Sequence, residues 1–176
     1  GGTPTGDSLA FVAANSGFGS TIQRQSFLLL MTDGLPNCNP NSGLDANVNP
    51  AACDCTDGAS STVCTYYPVL DCNDFNATAQ KVFNIRTTSG VKTIVIGFGD
   101  VFGPSAQQSL QQIAQAGDFQ RRCQANGSEC DPSDTACFQE SNPNFCAEAF
   151  FRATSKEQLS AALAAISSAI LQGNPC

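Results

Sequence analysis

Asp33, Thr3 and Thr5 are the residues of this chain whose types and neighbours best suit chemistry. Asp33 closes an apolar run, Leu29-Leu30-Met31-Thr32-Asp33-Gly34, and Thr3 and Thr5 lie in a glycine-rich opening, Gly1-Gly2-Thr3-Pro4-Thr5-Gly6. A carboxylate and hydroxyls brought together form an all-oxygen donor set, suited to a hard cation such as Mg²⁺. In a parallel α/β sheet, ligands bind beyond the carboxyl ends of the strands. Asp33 reaches that edge if the apolar run is a strand. The threonine loop reaches it too if the helix that follows leads into the same strand. Taken alone, turn residues and helix caps explain the pattern about equally well.

Other chemistry is excluded or weak. The chain has no histidine, so no Ser-His-Asp or Cys-His nucleophile and no histidine-ligated metal can exist. Gly6-Asp7-Ser8-Leu9 spells an esterase signature, but its serine would have no histidine base; it reads as a helix N-terminus. Gly97-Phe98-Gly99 lacks the third glycine of a dinucleotide fingerprint, because Phe102 stands there. Asp54-Cys55-Thr56-Asp57-Gly58 lacks calcium-loop spacing. Cys53-Asp54-Cys55 reads as disulfide material rather than a zinc or cluster fragment. Asn76-Ala77-Thr78 and Asn126-Gly127-Ser128 are glycosylation sequons. No feature here carries an enzyme.

The elements that must position these residues follow from periodicity. Residues 7–16 and 74–89 read as helices, the first with Leu9, Val12 and Ala13 on one face. The second has Asp74 as N-cap, Ala79, Val82, Phe83 and Arg86 at helical spacing, and Gly90 at its end. Residues 104–116 make a third helix, with Pro104 in the first turn and Gly117 at C′. Residues 155–171 make a fourth, with a Ser155/Gln158 capping box and a stripe of Leu159, Leu163, Ile166 and Ile170. Residues 26–32 and 91–98 read as strands buried on both faces, and 149–153 as a short strand. Apolar strands alternating with amphipathic helices imply one domain with a mostly parallel sheet flanked by helices.

Composition limits the partners. The chain has 176 residues, 41% of them hydrophobic and 13% charged, with net charge -7. It lacks a basic stripe, so nucleic acid is a poor partner, and no apolar run is long enough to span a membrane. Ten cysteines imply an oxidising compartment, so the chain is expected to be secreted or on the cell surface. Nine of the ten fall in two polar stretches, 37–73 and 118–148, which read as disulfide-rich insertions. The first follows the Asp33 strand and holds Cys38, Cys53, Cys55, Cys64 and Cys72. The second follows a helix and holds Cys123, Cys130, Cys137 and Cys146. Cys176 follows the last helix, at the second group's edge. Bridges are expected mostly within each group, because a sheet separates them.

In this order the motifs resemble a von Willebrand factor A domain, a Rossmann-like α/β sandwich. Gly2-Thr3-Pro4-Thr5-Gly6 resembles the threonine loop of that family's metal-ion-dependent adhesion site. Thr32-Asp33-Gly34 resembles its aspartate motif, Thr93 to Asp100 the strand and turn that follow, and Ala153 to Leu159 the start of the last helix. The resemblance covers the chain apart from the two insertions. The family's first strand and its Asp-x-Ser-x-Ser motif have no counterpart here. Thr32 to Cys38 (Thr-Asp-Gly-x-Pro-Asn-Cys) also resembles Cys-rich exported lipoproteins and gliding-motility adhesins of myxobacteria. The resemblance implies adhesion rather than catalysis, to a protein or matrix ligand that offers a carboxylate. It implies Mg²⁺, or Ca²⁺ or Mn²⁺, held by Thr3 and Asp33, with Thr5 and Asp100 in the second shell or at the rim. The alternative is a metal-independent structural subunit of a surface assembly or filament.

Overall fold

The computed structural model describes residues 4–18, 25–33, 35–37, 73–99, 103–119, 121, 146 and 148–171. These residues form α1 (Thr5–Asn15), β1 (Phe27–Thr32), α2 (Phe75–Ser89), β2 (Lys92–Phe98), α3 (Pro104–Gly117), β3 (Phe151–Ala153) and α4 (Lys156–Leu171). The three strands form a parallel sheet in the order β1-β2-β3. The architecture is α/β and compatible with a Rossmann-like fold.

Strand alternation sends successive side chains to opposite faces, and β2 shows it cleanly. Val95 joins one core with Leu9, Val82, Ile85, Leu110, Ile113 and Phe150, under α1, α2 and α3. Ile94 and Ile96 join the other with Phe119, Phe151, Ala153, Ala162 and Ile166, under α4. Each fully buried Ile or Val side chain contributes about 1.5–3 kcal/mol. So β2 is buried on both faces, as its β-branched run suggests.

The same expectation for β1 is corrected. Leu28 and Leu30 pack against the first core, but Leu29 is 46% and Met31 56% exposed on the other face. The reason is position: β1 is a margin of the described sheet, and α4 packs on β3, at the opposite margin. Local apolarity cannot specify which neighbours arrive.

Helix faces are also adjusted. In α2 the buried stripe is Thr78, Val82 and Ile85, while Phe83 is 42% exposed and Arg86 lies over its ring, 5.0 Å from the centroid. In α4 Ala162 and Ile166 are buried and Leu163 is 40% exposed, because small alanines set the close contact with β3. In α1, Leu9 is buried and Ala13 exposed.

The caps show which local signals survive. Gly90 takes the left-handed conformation (φ 68°), and its N–H donates to the Arg86 carbonyl. Ser155 Oγ accepts from Gln158 N (3.2 Å), but Gln158 Oε1 reaches back to Thr154 N (2.7 Å) rather than to Ser155. Asp74 occupies the N-cap of α2 without a side-chain cap; Asn73 Oδ1 accepts from Phe75 N instead (3.2 Å). At the end of α3, Gly117 stays helical and Asp118 takes the left-handed cap (φ 57°). A Cβ on Gly117 would lie 2.4 Å from the Thr93 carbonyl oxygen. That glycine is required by close approach to β2, not by its own dihedrals.

The packed body extends into the margins of both insertions. Asn37 and Asn73 are buried, and Asp74 N donates to Pro36 O (2.7 Å), closing the neck of the first. Asp118 bridges Thr93, and Phe119 is a core residue. Phe151 then pairs with Ile96, so the second stretch leaves and rejoins within the lane of β3. Cys146 N donates to Arg121 O (2.9 Å) across that neck. The buried Arg121 guanidinium donates from Nη1 to Phe150 O (2.7 Å) and Glu148 O (3.4 Å), and lies 4.8 Å from the Phe151 ring centroid.

Candidate functional site

Parallel pairing brings the ends of all three strands to one edge. Thr32 pairs with Gly97, and Phe98 with Ala153. Asp33 follows Thr32 directly and is exposed, one residue beyond the pairing. Gly99 N donates to Ala153 O (3.1 Å), joining the turn after β2 to the end of β3.

Pro4 and Thr5 begin α1, and both line one groove with Thr32. Thr5 is 7% and Thr32 9% exposed. The helix start that carries Thr5 and the strand end that precedes Asp33 therefore share one groove. Thr3 and Asp100 lie outside the described residues, as do Cys38, Cys53, Cys55, Cys64, Cys72, Cys123, Cys130, Cys137 and Cys176. Cys146 is described: it is buried and disulfide-bonded.

Sequence reasoning missed a buried polar cluster near this edge. Asn73 Nδ2 donates to Ser109 Oγ (3.0 Å), linking the start of α2 to α3. Asp74, 2% exposed, adjoins it. The available signal was the Asn73-Asp74 pair ahead of a helix, legible as a cap but not as an inter-helix link. Of the sequons, Asn76 is exposed in the first turn of α2, but Thr78 is fully buried, so the folded helix hides that hydroxyl. Asn126 lies outside the described residues. Gly6, Asp7 and Ser8 lie in the first turns of α1, as a helix start should.

The donors at this edge are oxygens. Among the described residues, no group of three or more His, Cys, Asp or Glu side chains is arranged to hold a metal. A cation here would rest on the Asp33 carboxylate, on hydroxyls, and on water or a partner's oxygens. At the amino edge lies an ion-pair group: Asp118 sits 3.9 Å from Arg86 and 3.6 Å from Lys92.

In comparisons with known proteins, the chain matches no family model, no curated protein and no solved structure. No described helix is long and apolar enough to cross a membrane.

Proposed function

We propose that the carboxyl edge of the sheet is a cation-assisted adhesion face, working on the plan of a von Willebrand factor A domain. One observation carries the reading. Pro4 and Thr5 at the start of α1 line one groove with Thr32 at the end of β1, and the exposed carboxylate of Asp33 follows Thr32. Thr3 adjoins Pro4 in sequence, which is what supports assigning it to the same site as Asp33.

In this reading Asp33 and Thr3 coordinate Mg²⁺, or Ca²⁺ or Mn²⁺, through oxygen. Thr5 and Asp100 stand behind or beside them. One carboxylate and hydroxyls leave positions open around an octahedral ion. A carboxylate on a protein or matrix partner fills one of them. The bound cation supplies the local positive charge that draws this carboxylate to a chain of net charge -7. The function is binding, without turnover. The disulfide at Cys146 supports an exported, oxidising setting, in which the two Cys-rich stretches are cross-linked appendages of the α/β body.

A calorimetric Mg²⁺ titration of the chain and of Asp33→Ala tests the reading. The unsubstituted chain should bind with a dissociation constant on the order of 0.1–1 mM, the range of weak extracellular sites. Asp33→Ala should lose that heat and keep its thermal transition. Equal binding by both proteins removes Asp33 from the site. No binding by either favours the metal-independent structural subunit.

A further inference from the structure

Asp33 is an exposed carboxylate on a short tether with two buried ends. Before it, Thr32 is buried and pairs with Gly97 in the sheet. Beyond it, Pro36 is fully buried, and its carbonyl accepts from Asp74 N (2.7 Å). Three residues, Asp33 to Leu35, separate these two fixed points. Where Asp33 can place its carboxylate therefore depends on how firmly Pro36 is held.

The hold on Pro36 runs through Asn73, whose side chain is tied at both of its polar ends. Asn73 Oδ1 accepts from Phe75 N (3.2 Å), which fixes it to the first turn of α2. Asn73 Nδ2 donates to Ser109 Oγ (3.0 Å) in α3. Asn73 is 4%, Asp74 2% and Ser109 1% exposed. A residue tied in this way fixes the peptide that follows it, and that peptide carries the Asp74 N–H. The contacts thus lead from Ser109 through Asn73 and Asp74 to Pro36, three residues from Asp33.

Packing of α2 on α3 does not call for this link. Elsewhere their contact is apolar: Val82 and Ile85 of α2 share a core with Leu110, Ile113 and Ala114 of α3. A buried amide–hydroxyl pair adds little net stability, because both groups leave water to form it. It does impose one geometry, and low local dielectric makes that geometry stiff. The polar pair stands where the segment after β1 is attached.

We infer that Asn73 and Ser109 are positioning residues for Asp33: they hold the segment after β1 in one place and so fix the reach of its carboxylate. What that carboxylate then binds rests on the cation reading. A ligand group on an ordered tether binds without first having to order the chain, so the supporting contacts raise affinity without touching the ion.

Backbone order parameters and a calorimetric Mg²⁺ titration of the unsubstituted chain, Ser109→Ala and Ser109→Thr test this. In the unsubstituted chain the amides of Asp33 and Leu35 should be as rigid as those of β2, with order parameters of about 0.85; values below about 0.6 overturn the inference. Ser109→Ala removes the acceptor and should lower the order at Asp33 and Leu35 while sparing β2. Its Mg²⁺ affinity should fall roughly tenfold, about 1.4 kcal/mol, the scale of freeing one backbone residue. Ser109→Thr keeps the hydroxyl but crowds the interface with a methyl group. It should lower the melting temperature and still keep the order at Asp33 and Leu35, a separation that a purely structural bond would not give. Loss of order in both variants, or in neither, overturns the inference. If the unsubstituted chain takes up no Mg²⁺ while the order at Asp33 still answers to Ser109, the cation reading falls and the positioning stands. If all three proteins bind Mg²⁺ equally, the positioning falls and the cation reading stands.

Discussion

Among the described residues, the two margins of the sheet meet the edge-strand problem in opposite ways. The β3 margin has three paired residues, and its lane starts with Asp118 and resumes at Phe151 after an excursion. Arg121 fastens the excursion's neck, Cys146 is cross-linked, and Arg152 pairs with Glu148 on the same segment. Phe119 packs edge-on against Phe27, at 5.9 Å between centroids, and 6.5 Å from Phe151. This margin is short, charged and covered by α4. The β1 margin has six residues, lacks charge until Asp33 and leaves Leu29 and Met31 bare. A short, decorated edge repels further strands, whereas a long apolar one invites them. The contrast separates a covered margin from a bare one.

The largest effect should come from the ring that joins the two margins. Phe119→Ala should cost about 3–5 kcal/mol in denaturant unfolding, because Phe119 is 2% exposed and its cavity would open between β1 and β3. A loss under 1 kcal/mol would show that the margins are not packed through this ring.

Next comes Gly117→Ala, expected to cost about 3 kcal/mol. The added methyl group meets the Thr93 backbone, which cannot rotate away as a side chain would. Unchanged stability would mean that α3 can slide along β2.

Arg121→Met should cost about 2 kcal/mol, since a charged donor to two backbone carbonyls is lost while the apolar stem is kept. Faster exchange of backbone amides should concentrate at 148–153 and spare β1. Uniform loss across the sheet would erase the distinction between the margins.

Met31→Ser should change stability by no more than about 0.5 kcal/mol, because the side chain is more than half exposed in the isolated chain. Thermal melting of this variant beside Phe119→Ala measures the asymmetry directly. A large loss would mean that Met31 is already covered.

Much of the fold is legible in the sequence. β2 is identifiable because Thr93-Ile94-Val95-Ile96 is β-branched throughout, and α2 is bounded by Asp74 and Gly90, whose cap positions are local. The candidate site is legible at one point, Asp33, because a carboxylate directly after an apolar strand must emerge at a strand end. That Thr5 and Thr32 would both be buried and line one groove was not legible, since it depends on how α1 lies relative to β1. Asn73 and Ser109 are thirty-six residues apart in sequence, and no local pattern pairs them.

By itself the sequence determined the element types and their order, the absence of histidine chemistry and the acidic surface. These follow from short-range periodicity, capping and composition, which each segment carries alone. Only the tertiary structure decided that β1 lies at a margin of the described sheet and that Leu29 and Met31 are exposed. It also decided that Gly117 answers to Thr93, that Asp118 bridges to the sheet and that Phe119 joins the core rather than the insertion. Burial and close approach are properties of pairs of segments. A run of five apolar residues reads the same whether two strands flank it or one.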